Sequence, residues 1–125
     1  MGLKCGIIGI TNSGKTTLFN CMSKTKAQIT NFAFSTGKSN IGICTVPDQR
    51  LTKIHQLIKA DELIYATVEI VDIPGLAKGS SMGEGIGNAF LADIRLCDAL
   101  IHVLRCFDDA NLPHIDETIN PVRDI

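Results

Sequence analysis

Gly9-Ile-Thr-Asn-Ser-Gly-Lys-Thr16 decides how the rest of the chain is read. It matches G-x-x-x-x-G-K-[ST], the pattern of a loop that cradles phosphate groups. The flanks are those the loop requires. Residues 3–10 are apolar and strand-like, with Ile7 and Ile8 at their centre, and residues 15–23 read as the first turns of a helix. In a strand–loop–helix of this kind, successive backbone N–H groups point inward. The helix N-terminus adds a partial positive charge. Lys15 would reach the β- and γ-phosphates of a nucleotide, and the Thr16 hydroxyl would bind Mg²⁺. The competing reading is a glycine turn followed by a surface lysine.

The composition bounds the rest. The chain has 125 residues, 45% hydrophobic and 20% charged, with a formal net charge of −1. That is one globular domain or part of one. Near-neutral charge gives no long-range pull toward DNA or an anionic membrane. No apolar run reaches 18 residues, so no membrane span is expected. The first residues lead directly into a core strand and do not resemble a signal peptide. Cys5, Cys21, Cys44, Cys97 and Cys106 form no C-x-x-C pair and lie in apolar segments. They read as buried thiols in a reducing cytoplasm.

Working outward from the loop, residues 24–40 lose periodicity and read as a long loop of the kind that carries function. Residues 41–46 are strand-like, and Asp48 is placed to cap the next helix. That helix would run over 49–59, with Leu51, Ile54, Leu57 and Ile58 at helical spacing. Residues 64–71 are rich in β-branched types and read as a strand. A glycine-rich segment with Gly79, Gly83, Gly85 and Gly87 follows, then a helix over about 86–96 and a strand within 98–107. The alternation predicts an α/β fold, a mostly parallel sheet flanked by helices. Only about four strands are present, so the sheet is expected to be incomplete on its C-terminal side. On this reading the chain is an N-terminal fragment of a longer protein.

A second motif sits where the first predicts it. Asp72 closes an apolar strand, 57 residues after Lys15. An acid there would hold Mg²⁺ directly or through water. Gly75 completes D-x-x-G, and in switch proteins the N–H of this glycine senses the γ-phosphate. Thr36, in the loop before the second strand, is a candidate for the magnesium shell, with Thr30 and Ser35 as alternatives. Position 76 is leucine, where Ras-like enzymes carry a glutamine that orients the attacking water. Leucine forms no hydrogen bond, so catalysis must borrow a polar group. His114 is a candidate, since histidine can position or deprotonate water near neutral pH. His55 reads as a helix-surface residue and His102 as structural.

These segments together resemble a known family. Gly6-Ile-Ile-Gly-Ile-Thr-Asn-Ser-Gly-Lys-Thr-Thr-Leu-Phe-Asn20, Asn31-Phe-Ala-Phe-Ser-Thr36, Val46-Pro-Asp-Gln-Arg-Leu51 and Val71-Asp-Ile-Pro-Gly-Leu-Ala-Lys-Gly79 occur in order, followed by Gly83-Glu-Gly-Ile-Gly-Asn88 and His102-Val-Leu-Arg-Cys-Phe107. The chain resembles the YchF family, the Obg-like ATPases within the translation-factor branch of P-loop GTPases. The likeness covers essentially all 125 residues. It implies that Asn12, Ser13, Gly14, Lys15, Thr16 and Thr17 wrap the phosphates, and that Thr16 and Thr36 are magnesium-side residues. It implies a catalytic part for His114, a preference for ATP over GTP, and association with the ribosome. It further implies that residues 1–125 are the first part of an Obg-type G domain, whose coiled-coil insertion and TGS domain lie elsewhere. The chain departs from the family's usual pattern at Thr11, Ser13, Pro74 and the run Thr36-Gly-Lys-Ser-Asn40. No N-K-x-D or N-x-x-E base-reading motif occurs in the 125 residues. Three readings follow: a nucleotide hydrolase, a slow nucleotide-dependent binding module acting on ribosomes, and a small-molecule kinase.

Overall fold

The computed structural model describes residues 2–23, 39–75 and 84–125, with side chains omitted for 84–89. The elements are β1 (Leu3–Ile8), α1 (Lys15–Met22), β2 (Asn40–Thr45), α2 (Gln49–Ile58), β3 (Thr67–Asp72), α3 (Glu84–Arg95) and β4 (Ala99–His102). They form an α/β fold around one four-stranded sheet, ordered β2-β3-β1-β4. β1 pairs in parallel with both β3 and β4. β2 runs antiparallel to β3.

The β2–β3 pairing explains where α2 lies. Parallel neighbours need a crossover that passes over a sheet face, whereas antiparallel ones do not. Thr45 stands opposite Thr67, and Val46 N donates to Ala66 O at 2.8 Å. The chain therefore leaves and re-enters the sheet at adjacent points, and α2 belongs to that excursion. Among the described residues, α2 contributes none to the core. The alternation of elements alone would have laid it on a face.

The core is built where α1 meets the sheet. Ile7, Phe19 and Ile70 are fully or almost fully buried, and Cys44, Val68, Ile101 and Val103 pack against them. α1 can approach β2 only because position 42 is glycine. A Cβ there would stand 2.6 Å from Ser23 Cβ and 2.9 Å from Phe19 Cζ. α1 then stops at Met22, its end closed by Ser23 N donating to Phe19 O. At the opposite edge of the sheet, Asp98 sets the start of β4. Its carboxylate accepts from Lys4 N and its N–H donates to Lys4 O, each at 2.8 Å. Lys4 also pairs across strands with Glu69 at 2.8 Å.

Not all the thiols are buried. Cys5 is buried and Cys44 and Cys97 are partly covered, but Cys21 and Cys106 are exposed. Cys21 lies two residues after Phe19, which places it on the far side of α1 from the core. Cys106 lies in the irregular segment after β4. Burial pushes the Cys44 and Cys97 thiols above their ordinary pKa. No helix among the described residues is long and apolar enough to cross a membrane.

Candidate phosphate-binding site

β1 ends at Ile8 because the next residue turns away from the ladder. Gly9 has φ +149°, and a Cβ there would meet Val103 O at 2.4 Å. The loop can cross the end of β4 at this distance only without a side chain. Two more positive φ angles follow, Asn12 at 59° and Gly14 at 97°. Asparagine tolerates the left-handed region better than most residues, and glycine enters it freely. Gly14 occupies the N-cap of α1 and supplies no side-chain cap. The first N–H groups of the helix are thereby left to an external acceptor.

Lys15 folds back into this loop. Its side chain is nearly covered and its Nζ donates to Ile10 O at 2.7 Å. Burial lowers its pKa to about 8, opposed in part by the negative charge of Asp72. Thr16 Oγ1 donates to Asp72 Oδ2 at 2.7 Å. The β1–β3 register brings them together, since Ile7 stands beside Asp72. Asp72 is 5% exposed, and its other oxygen, Oδ1, has no partner among the described residues. Ser13 Oγ and Thr11 Oγ1 are likewise buried without partners. An orphaned carboxylate oxygen beside a threonine hydroxyl suits a hard, oxygen-seeking divalent cation. The residues present therefore fit Mg²⁺, with waters and phosphate oxygens completing its shell.

Gly75 closes the cradle from the β3 side. A Cβ there would stand 2.9 Å from Lys15 Nζ, 3.0 Å from Gly9 O and 3.1 Å from Thr11 N. From the other side, Asn12 Nδ2 donates to Pro113 O at 3.1 Å. That contact brings the segment carrying His114 against the loop. His114 is itself engaged within the segment. Nδ1 accepts from Asp116 N at 3.1 Å, and Nε2 lies 3.2 Å from Asp124 Oδ2. An acceptor Nδ1 fixes the neutral tautomer with its proton on Nε2, donated to Asp124. Arg123 bonds to Asp124 and to Thr118. Upstream, buried Arg105 holds the turn by donating to Phe107 O at 3.1 Å and stacking on the Phe107 ring at 4.7 Å.

The structure thus gathers Asn12, Ser13, Gly14, Lys15, Thr16, Asp72 and Gly75 in one place. Thr17 is exposed on the first turn of α1. Thr36 and Leu76 lie outside the described residues. The Pro113 carbonyl and the Asp116–His114–Asp124 bonds were not read from the sequence. A backbone carbonyl has no side-chain signature, and the partners of a loop histidine follow only from the path of the loop.

A sheet whose central strand feeds a glycine loop over a buried lysine, with an acid closing the neighbouring strand, defines the P-loop GTPase fold. The profile of the family described as 50S ribosome-binding GTPase matches residues 4–124, and the chain belongs to that family and to its YchF branch. The chain is 48% identical over 125 residues to the ribosome-binding ATPase YchF of Buchnera aphidicola subsp. Acyrthosiphon pisum, covering 100% of this chain and 34% of that protein. It is 46% identical to the protein of the same name from Escherichia coli O157:H7, with the same coverage. The structure of the Schizosaccharomyces pombe YchF GTPase superposes with a TM-score of 0.66 at 34% identity, over 98% of this chain and 33% of that one. The structure of NFeoB from S. thermophilus, bound to GDP·AlF4⁻ and K⁺, reaches a TM-score of 0.53 at 21% identity, over 82% of this chain and 33% of its own, and speaks for the fold alone. The chain spans about a third of the length of the curated relatives it matches.

Gly75→Ala tests the closeness of the cradle. Its methyl group must displace either the Lys15 ammonium or loop backbone, an overpacking cost of about 1–3 kcal/mol. Thermal denaturation should show the loss, and an unchanged melting temperature would mean that Gly75 does not approach the loop this closely.

Proposed function

We propose that this chain binds a nucleoside triphosphate with Mg²⁺ and hydrolyses its γ-phosphate, as part of a ribosome-associated regulatory protein of the cytoplasm. The observation that carries the proposal is the buried Lys15 ammonium inside a glycine loop, beside the Thr16–Asp72 pair. The printed names of the relatives support the ribosome and the hydrolysis. The names divide between ATPase and GTPase, and ATP in preference to GTP is part of the proposal. The residues gathered at the site address phosphate and cation, not a base. We assign the chain as the first part of an Obg-type G domain, with base-reading residues, a coiled-coil insertion and a TGS domain supplied by the rest of the protein.

Each residue has a task in this scheme. The loop amides from Asn12 to Thr17 and the N-terminus of α1 hold the phosphate oxygens. Lys15 exchanges the Ile10 carbonyl for a phosphate oxygen and offsets charge on the transferring group. Thr16 and Asp72 hold the cation, and Thr36 is assigned to it as a further ligand. When bound, Mg²⁺ draws charge from the phosphate oxygens and so favours attack by water. The Gly75 N–H reports the γ-phosphate. His114 is assigned to water, which requires its ring to give up the Asp116 amide at Nδ1.

The second reading is a nucleotide-dependent switch that turns over slowly until it meets the ribosome. Leu76 favours it, since an aliphatic side chain cannot orient the attacking water. Turnover measured with and without ribosomes separates the two. A marked rise on adding ribosomes selects the switch, and equal rates select the free-standing hydrolase. Release of phosphate with no added acceptor excludes a small-molecule kinase.

Lys15→Ala in the full-length protein should weaken ATP binding by about a hundredfold, the worth of a charge-assisted hydrogen bond to phosphate. Calorimetric titration with ATP and GTP reads both the loss and the preference. Equal affinity of the mutant and unaltered proteins would end the proposal, and equal affinity for ATP and GTP would end the preference.

The lowered pKa of Lys15 gives a pH signature. A bound polyanion raises the lysine pKa, so binding above pH 8 must recruit a proton. Affinity should therefore fall as the pH rises through about 8, by up to tenfold per unit. Titrations in buffers of different ionisation enthalpy should register proton uptake. Constant affinity without proton uptake across that range would show that Lys15 is already fully charged before the ligand arrives.

A further inference from the structure

We infer, on the reading that His114 serves the attacking water, that Asp124 is a positioning residue for hydrolysis. It holds His114 in the tautomer whose Nδ1 accepts the water proton. Pro113, the residue before His114, is fastened to the phosphate loop by Asn12 Nδ2 at 3.1 Å. The chain then winds through turns and returns with Asp124 against the imidazole. His114 Nε2 donates to Asp124 Oδ2 at 3.2 Å, and both side chains are 3% exposed. Asp116 N donates to His114 Nδ1 at 3.1 Å. A buried carboxylate and a main-chain amide thus hold the two ring nitrogens, and one neutral tautomer satisfies both.

The carboxylate is itself held in place. Arg123 Nε donates to Asp124 Oδ1 at 3.1 Å, and Arg123 Nη2 lies 3.1 Å from the same oxygen. That guanidinium is fixed in turn, donating to Thr118 O at 2.7 Å and to Thr118 Oγ1 at 3.0 Å. Asp124 N donates to Asn120 O at 3.1 Å. One carboxylate oxygen therefore faces a cation and the other faces the ring N–H. A carboxylate accepts on both sides, whereas an amide accepts on one and donates on the other. An asparagine at 124 would turn its oxygen to Arg123 and its NH₂ to Nε2. The ring proton would then move to Nδ1, where it opposes the Asp116 N–H.

In the reaction, the Asp116 amide leaves Nδ1 and water takes its place. His114 lines a cavity of about 600 Å³ with Pro113, Thr118 and Ile119, which leaves the segment room for that exchange. As the water oxygen bonds to the γ-phosphorus, the bond from that phosphorus to the β-phosphate oxygen breaks. Its electron pair stays with the departing nucleoside diphosphate. The water proton passes to Nδ1. Asp124 faces the imidazolium so formed and takes no proton from it. The ring then returns the proton to solvent.

Asp124→Asn in the full-length protein tests this. Its kcat for ATP should fall about tenfold or more, within the worth of a positioned base, while KM, set by the phosphate loop, stays as it was. His114→Gln should lose at least as much, and the double variant no more than His114→Gln alone. Long-range ¹H–¹⁵N spectra of the imidazoles read the tautomer directly, with the His114 signals assigned by their loss in His114→Gln. The proton should sit on Nε2 in the unaltered protein and on Nδ1 in Asp124→Asn. Undiminished kcat in His114→Gln would remove His114 from the reaction, and the part of Asp124 with it. A loss at His114 with none at Asp124 would overturn the role of Asp124 alone. A proton on Nδ1 in the unaltered protein would overturn it without any variant.

Discussion

The hydrogen bond from the Thr16 hydroxyl to the Asp72 carboxylate joins the two parts of the chain on which the site depends. Thr16 stands on the first turn of α1, and Asp72 is the last residue of β3. Neither position has meaning without the parallel pairing of β1 and β3, which sets Ile7 beside Asp72. The pairing fixes the strand that launches the glycine loop next to the strand that ends in an acid. The packing of Phe19 against Ile7 and Ile70 then holds α1 over both strands. Core packing and site chemistry are thus one arrangement. A change that lets α1 slide along the sheet separates Thr16 from Asp72 before it touches any ligand.

Glycine sets the tolerances of the same region. The loop crosses β4 at Gly9 and is approached by Gly75 from β3, and in both places a Cβ would meet backbone atoms. Between those two close approaches lies the Lys15 ammonium, bonded to a carbonyl of its own loop. Burial disfavours its charge, and the nearby Asp72 only partly restores it. A lysine in that setting is poised for a stronger anion than a peptide carbonyl.

The sequence carried this region well and the periphery less well. The spacing from Gly9 to Thr16, the apolar run before it and the acid at Asp72 each have a local signature, and all three fall together in space. Strand and helix limits were close because Ile7, Phe19 and Ile70 mark the buried positions by period. The direction of β2 was not legible. Whether a strand–helix–strand unit crosses a face or folds back depends on where the connection leaves the sheet, and residues 46–66 do not announce it. The exposed Cys21 illustrates a related loss. An apolar segment eight residues long has a dry and a wet side, and only the docking of α1 through Gly42 decides which thiol is dry. The bonds around His114 were beyond reach for the same reason. They join residues of an irregular segment that has no period to read.

Buried polar atoms without partners are expensive, and their placement is therefore informative. Among the described residues there are five: Thr11 Oγ1, Ser13 Oγ, Asp72 Oδ1, His55 Nδ1 and Arg105 Nη1. Three of them belong to the phosphate-loop site and one to α2. Those three mark the place for which this chain is proposed to find an outside partner, a nucleotide with its cation. A ligand that binds only the folded state stabilises it in proportion to its affinity and concentration. The loop therefore trades intrinsic stability for a binding site that a ligand completes.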